Sequence, residues 1–266
     1  MMRMLLRACM AAALLISCAP TGEVAAQPVQ LTAHFAPDRL GANTTVKLAF
    51  HIPGANGKPP PPLTHVALSL PSGIGIAGMT LGLATCNAET LFDYGPGGCS
   101  PNAVMGTGIA RVELPFGSVV LRETAYVTAV MGPPAGNTTV ILFYAEGNSP
   151  VAAQVVFPGA LQSASMPFGI LLDVTVPLIS TVPGGPDVAV TDFWSTIGPS
   201  GIRYVKRVHG KVTTYTPAGL SVPTVCPRTG FTFRGAFAFA DGSRVTATST
   251  VPCPDTMRSS RHKVHR

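Results

Sequence analysis

The strongest constraint on this chain is a period-two alternation of apolar and polar residues that recurs from end to end, with helical periodicity nearly absent. Such alternation puts apolar side chains on one face of a strand and polar ones on the other. The clearest instance lies near the C-terminal end. Phe231, Phe233, Phe237 and Phe239 fall on one face with Gly235 between them, and Thr232, Arg234, Ala236, Ala238 and Ala240 fall on the other. Asp241-Gly242 then predicts a type I′ turn, and Val245, Ala247 and Val251 return on alternating positions. A phenylalanine stripe at strand spacing reads as core rather than as a ligand platform.

The same reasoning predicts strands over residues 29–35, 44–51, 65–70, 104–114, 119–131, 138–146, 151–157, 170–176 and 188–193, and one long strand over 202–215. Residues 54–62 form a loop stiffened by four prolines, and residues 86–99, rich in glycine, form a compact structural loop. The chain holds 28 glycines and 26 prolines but only 11% charged residues, which points to short strands joined by turns rather than to disorder. The expected fold is all-β, an antiparallel β-sandwich of two Ig-like lobes, residues 27–115 and 116–254, with a single larger sandwich fitting nearly as well.

The first 26 residues read as a secretory signal. Arg3 and Arg7 flank a short apolar stretch, and a longer one, residues 8–17, is too short to span a bilayer. Val24-Ala25-Ala26 offers signal peptidase the small residues it needs before Gln27. Leu15-Ile16-Ser17-Cys18 matches a bacterial lipobox as well, in which case the leader is 1–17 and Cys18 carries a lipid that tethers the protein to a membrane. Both endings stay open. Cys9 and Cys18 belong to this segment under either one. Four cysteines remain, and in an oxidising compartment they predict two disulfides, with the sequence-local pairs Cys86–Cys99 and Cys226–Cys253 preferred. No CxxC or histidine-rich spacing supports zinc.

The net charge of +6 overstates the folded part. Between Gln27 and Pro254 there are 12 basic and 10 acidic residues, and much of the excess sits in a basic tail, residues 255–266, expected to be disordered and solvated. One basic feature stands out within the folded part. If 202–215 is a single strand, Arg203, Arg207, His209 and Lys211 share a face, opposite Ile202, Tyr204, Val208 and Val212, with Lys206 the exception. That face is either a solvated sheet surface or a stripe for an anionic envelope polymer. Export and core-patterned aromatics argue against nucleic acid.

Catalytic motifs are missing: there is no G-x-S-x-G elbow, H-E-x-x-H helix, phosphate loop or dinucleotide fingerprint, and none calls for a cofactor. His34, His51, His65 and His209 have no carboxylate or serine at a telling spacing, and read as surface or strand-edge residues. Glu113, Glu123, Glu146, Asp173 and Asp192 are available for carboxylate-pair chemistry, but a lone tryptophan, Trp194, makes a poor sugar cleft. Glu89 and Asp93 are too few for calcium.

Several segments together carry a resemblance. They are Ala84-Thr-Cys86, Gly98-Cys99-Ser-Pro101, Met105-Gly-Thr-Gly108-Ile-Ala110, Met166-Pro-Phe-Gly169 leading to Val176-Pro177, Val222-Pro-Thr-Val-Cys226-Pro, Phe239-Ala-Asp-Gly242 and Val251-Pro-Cys253-Pro. Across most of residues 80–254 they resemble a group of uncharacterised secreted β proteins of high-GC actinobacteria. The resemblance implies a bacterial exported β protein with paired cysteines, and no activity or catalytic residue. The expectation is an exported, non-catalytic surface or secreted protein with a structural, adhesive or interaction role. Its alternatives are a binding module for an anionic envelope polysaccharide and an envelope-glycan hydrolase. The expected partner is an envelope polymer or surface protein, with membrane contact only through a lipid on Cys18.

Overall fold

The computed structural model describes residues 28–74, 80–117, 119–150, 152–180 and 184–254. The signal segment 1–26, with Cys9 and Cys18, and the basic tail 255–266 lie outside the described residues. The elements in chain order are β1 (Gln30–Ala36), β2 (Asn43–His51), β3 (Leu63–Pro71), α1 (Ala88–Tyr94), β4 (Val104–Phe116), β5 (Val119–Met131), β6 (Thr139–Gly147), β7 (Ala153–Ser163), β8 (Phe168–Thr175), β9 (Ala189–Ile197), β10 (Tyr204–Val208), β11 (Lys211–Tyr215), β12 (Leu220–Ser221), β13 (Phe231–Phe239) and β14 (Arg244–Val251).

Eleven strands form one antiparallel wall in the order β1-β2-β9-β4-β5-β6-β7-β8-β3-β13-β14, and β12 adds a short pairing to β2. The two ends of this wall meet. Ala33 of β1 donates its backbone N–H to Ser249 Oγ of β14 at 3.0 Å. The result is a nearly closed barrel, and it overturns the expectation of a sandwich with two Ig-like lobes. Inward-apolar, outward-polar alternation is satisfied equally by two facing sheets and by one sheet curled on itself. The non-local pairings decide between them. β2 pairs with β9, and β3 sits between β8 and β13, so the early strands are built into the same wall as the late ones. The proposed lobe boundary at 115/116 falls at the end of β4, inside the long β4–β5 hairpin.

The phenylalanine stripe of β13 faces the barrel interior, with Phe231 and Phe233 fully buried. Phe35 meets the Phe231 ring edge-on at 5.5 Å, and Phe50 meets Phe237 at 5.1 Å. Gly235 interrupts the stripe because the Phe237 ring lies over it, only 2.7 Å from where a Cβ would sit. The following turn differs from the predicted type I′. Only Gly242 has positive φ, at 84°, and its N–H donates to Phe239 O at 3.0 Å. That pattern fits a type I turn followed by a left-handed glycine. Asp241 is needed for its side chain instead: its Oδ1 accepts from Ser243 Oγ at 2.6 Å and Ser243 N at 2.9 Å. These bonds hold the Asp241 carboxyl below its ordinary range.

One rim carries both disulfides, Cys86–Cys99 and Cys226–Cys253, with Cα–Cα separations of 5.5 and 5.8 Å. They are the sequence-local pairs, and they mark an oxidising, extracytoplasmic environment. The segment between Cys86 and Cys99, expected as a loop, contains the helix α1. Asn87 caps it by accepting from Thr90 N at 2.7 Å, and Leu91 is fully buried against Val130, Leu142 and Tyr144 on the outer face of β5 and β6. At seven residues, α1 is too short to show a helical period in sequence.

Tyr204 ties β10 to this rim. Its hydroxyl donates to Val104 O at 2.6 Å and accepts from Gly82 N at 2.8 Å while the side chain is fully buried. Burial pushes the phenol above its ordinary 10.0, with Tyr215 adding to the rise and the Gly82 bond opposing it. A raised folded value means that the unfolded chain loses this proton first. Stability is therefore complete below about pH 10 and falls as the pH rises beyond it. Burial also raises the Tyr144 phenol, so an ultraviolet titration of native protein is expected to show both tyrosines ionising late, and a Tyr204→Phe variant to lose part of that late fraction. A variant with the same late fraction would show the assignment to be wrong.

Candidate ligand cavity

The barrel encloses an apolar cavity of about 260 Å³. Its wall draws on nearly every strand: Leu48 and Phe50 of β2, Val66 of β3, Val112 of β4, Val127 of β5, Phe143 of β6, Phe157 of β7, Leu172 of β8, Phe193 of β9 and Phe237 of β13. Among the described lining residues only Thr107 and Ser195 have polar side chains, and Ser195 Oγ is already spent on Leu48 O at 3.4 Å. The space exists because small residues face inward on three neighbouring strands. Ala110 stands opposite Ala125 across the β4–β5 pair and opposite Phe193 across the β4–β9 pair, and Gly108, Ala129 and Ala145 continue the gap.

The outer face is mostly polar, apart from an exposed patch where Ile109 lies beside Tyr126 and Trp194. His34 and Lys47 of β1 and β2, Arg122 and Thr124 of β5, Gln154 of β7, Arg234 of β13 and Thr248 of β14 point outward and are exposed. Barrels that sit in lipid carry the opposite pattern, apolar outside and polar within. No helix among the described residues is long and apolar enough to cross a membrane.

At the rim opposite the disulfides the cavity adjoins a polar recess of about 460 Å³, and Val112 lines both. Here the C-terminal halves of β2 and β4 and the N-terminal halves of β5 and β9 gather His51, Arg111, Glu113, Arg122, Glu123 and Asp192. His51 Nδ1 lies 2.8 Å from Asp192 Oδ1, and Asp192 Oδ2 accepts from Thr191 Oγ1 at 3.0 Å. Arg122 Nε donates to Glu113 Oε1 at 2.9 Å, and the Arg111 guanidinium stacks 4.8 Å from the centre of the Trp194 ring. Glu123 stands apart from these pairs. It is opposite Val112 in the ladder and in register with Ala125 and Val127, so it faces inward. It is only 7% exposed, and Oε1 has no hydrogen-bond partner among the described residues.

The basic stripe does not form. Residues 202–215, expected as one strand, are instead the β10–β11 hairpin, turning at His209 and Gly210 with φ of 48° and 78°. Arg207 pairs with Val212 on one face, while Lys211 pairs with Val208 on the other, where Lys206 also lies. Arg203 precedes β10 and donates to Thr216 Oγ1 at 3.4 Å. Two of the histidines have acquired carboxylates from distant strands: His51 meets Asp192, and His65 meets Asp173 on the outer face of β3 and β8. Glu89 and Asp93 lie one turn apart on α1, and no group of three or more His, Cys, Asp or Glu converges among the described residues. The cavity and the buried, inward position of Glu123 escaped the sequence reading. The available signal was an acid in the inward register of β5, between Leu121 and Ala125.

Comparison of the chain with protein-family models, with curated proteins and with solved structures finds no match.

Proposed function

We propose that this is an exported, non-catalytic binding protein that holds an apolar small molecule inside its barrel. The observation that carries this reading is the apolar cavity of about 260 Å³ within a wall whose outer face is mostly polar. An engineered apolar cavity of roughly 150 Å³ stays dry and takes up benzene. This one has room for a larger guest. At about 24 cal/mol per Å³ of apolar void, leaving it dry and empty costs on the order of 6 kcal/mol, which a well-fitting guest relieves in part.

Diphenylhexatriene, a neutral rod that fluoresces in apolar surroundings, is a suitable probe. Its emission is expected to rise and saturate at about one probe per protein, as a single internal site requires. A free concentration ten times the Kd should add about 1.4 kcal/mol of stability and raise Tm by roughly 3–6 °C. Ala110→Leu together with Ala125→Leu fills the gap and should abolish the signal without unfolding the protein. No enhancement in the native protein, or equal enhancement in the filled variant, would refute internal binding.

The two disulfides support export, and the leader reading supports either of two fates. Cleavage before Gln27 gives a freely secreted carrier, whereas a lipid on Cys18 tethers it to the cell surface. The intact mass of protein recovered from its native host separates the two.

A further inference from the structure

We infer that the bound molecule is amphipathic: an apolar body in the barrel and a protonated amine at the rim, received by Glu123. This rests on the proposed internal binding and specifies its chemistry. Glu123 is more than nine-tenths buried and lines the polar recess, directly opposite Val112, which borders both recess and cavity, and two residues from the cavity-lining Ala125. A carboxylate removed from water without a partner is costly, so such groups are normally found paired.

The cations that share the recess are already engaged. Arg122 is on Glu113, Arg111 is stacked on Trp194, and His51 is on Asp192. Among the described residues, Glu123 is left as the acid with no donor on Oε1. The neighbouring backbone is shaped for it. A Cβ on Gly147 would come within 2.3 Å of Oε1, so the bare glycine is what lets the carboxylate occupy this place. A ligand ammonium entering from the rim supplies the missing donor and neutralises the charge in one contact. Its apolar body reaches past Val112 into the barrel. A carboxylate head is repelled there, and an alcohol supplies the hydrogen bond without the charge.

The test is displacement of diphenylhexatriene by three ligands of equal chain length: decylamine, decanol and decanoate. The native protein is expected to prefer decylamine over decanol by about 10–100-fold, the range of one hydrogen bond to a charged group, and to bind decanoate most weakly. Glu123→Gln keeps the shape, and should bring amine and alcohol within about threefold of each other while the probe still binds. Gly147→Ala, which pushes the carboxylate from its place, is expected to blunt the preference as well. Circular dichroism establishes that both variants are folded. If the probe binds but native protein shows no amine preference, or Glu123→Gln retains it, the assignment to Glu123 is wrong and internal binding survives. If native protein does not bind the probe at all, both readings fall together.

Discussion

Replacing Phe233 by alanine should remove about 3–5 kcal/mol of folding stability, toward the upper end of what a single core truncation costs. Phe233 is fully buried on β13, packs 5.9 Å from the Phe35 ring, and forms part of the cavity wall. Truncation costs least where neighbours can relax into the gap. Here the gap opens onto an existing void, so little collapse is available. At roughly 2–4 °C per kcal/mol for a domain of this size, Tm should fall by about 6–20 °C. Thr232→Ala, one residue away on the outward face, is the control, and should stay within about 0.5 kcal/mol. Urea unfolding of the two variants measures both quantities. Similar losses in the two would show that β13 does not turn its phenylalanines inward.

The second large effect is loss of the disulfides. Cys226–Cys253 closes 27 residues of sequence around the β13–β14 hairpin, and Cys86–Cys99 closes 13 around α1. Through restriction of the unfolded chain alone, these loops are worth about 3.5 and about 3 kcal/mol. Replacing all four cysteines by serine should therefore cost on the order of 6 kcal/mol, a large share of the stability typical of a domain. Intact mass before and after reduction should differ by two hydrogens per bridge. Unchanged mass on reduction, or a serine variant as stable as the parent, would count against the bridges.

Much of the wall was legible because strands advertise themselves locally. The predicted 119–131 coincides with β5, and 44–51 falls within β2, since alternation and turn residues are properties of consecutive positions. What could not be read was which strands pair. Val46 beside Ile197, or Ser69 beside Arg234, is settled by side chains meeting across most of the chain. No period carries that information, and so the alternation that predicts a sandwich of two Ig-like lobes belongs in fact to one curled sheet. The His209–Gly210 turn hid for a related reason: polar–apolar alternation continues through it, and only the positive φ of two successive residues separates hairpin from strand. The candidate site divides the same way. Glu113, Glu123 and Asp192 were recognisable as available acids. Their gathering with His51 at one rim depends on β2 and β4 flanking β9.

The meeting of β1 with β14 also has a bearing on when the protein can fold. The first strand and the last form the two lips of a single seam, and β3 gains its second neighbour only once β13 has been made. A partial chain emerging from a ribosome or a translocation pore can pair β4 through β8 in sequence. It cannot enclose an interior. Contacts between such distant segments form slowly, because the loop between them must be closed before any contact is gained. A chain of this topology stays open until its C-terminal hairpin arrives, an order of events compatible with the proposed export, in which a chain crosses a membrane before it takes shape.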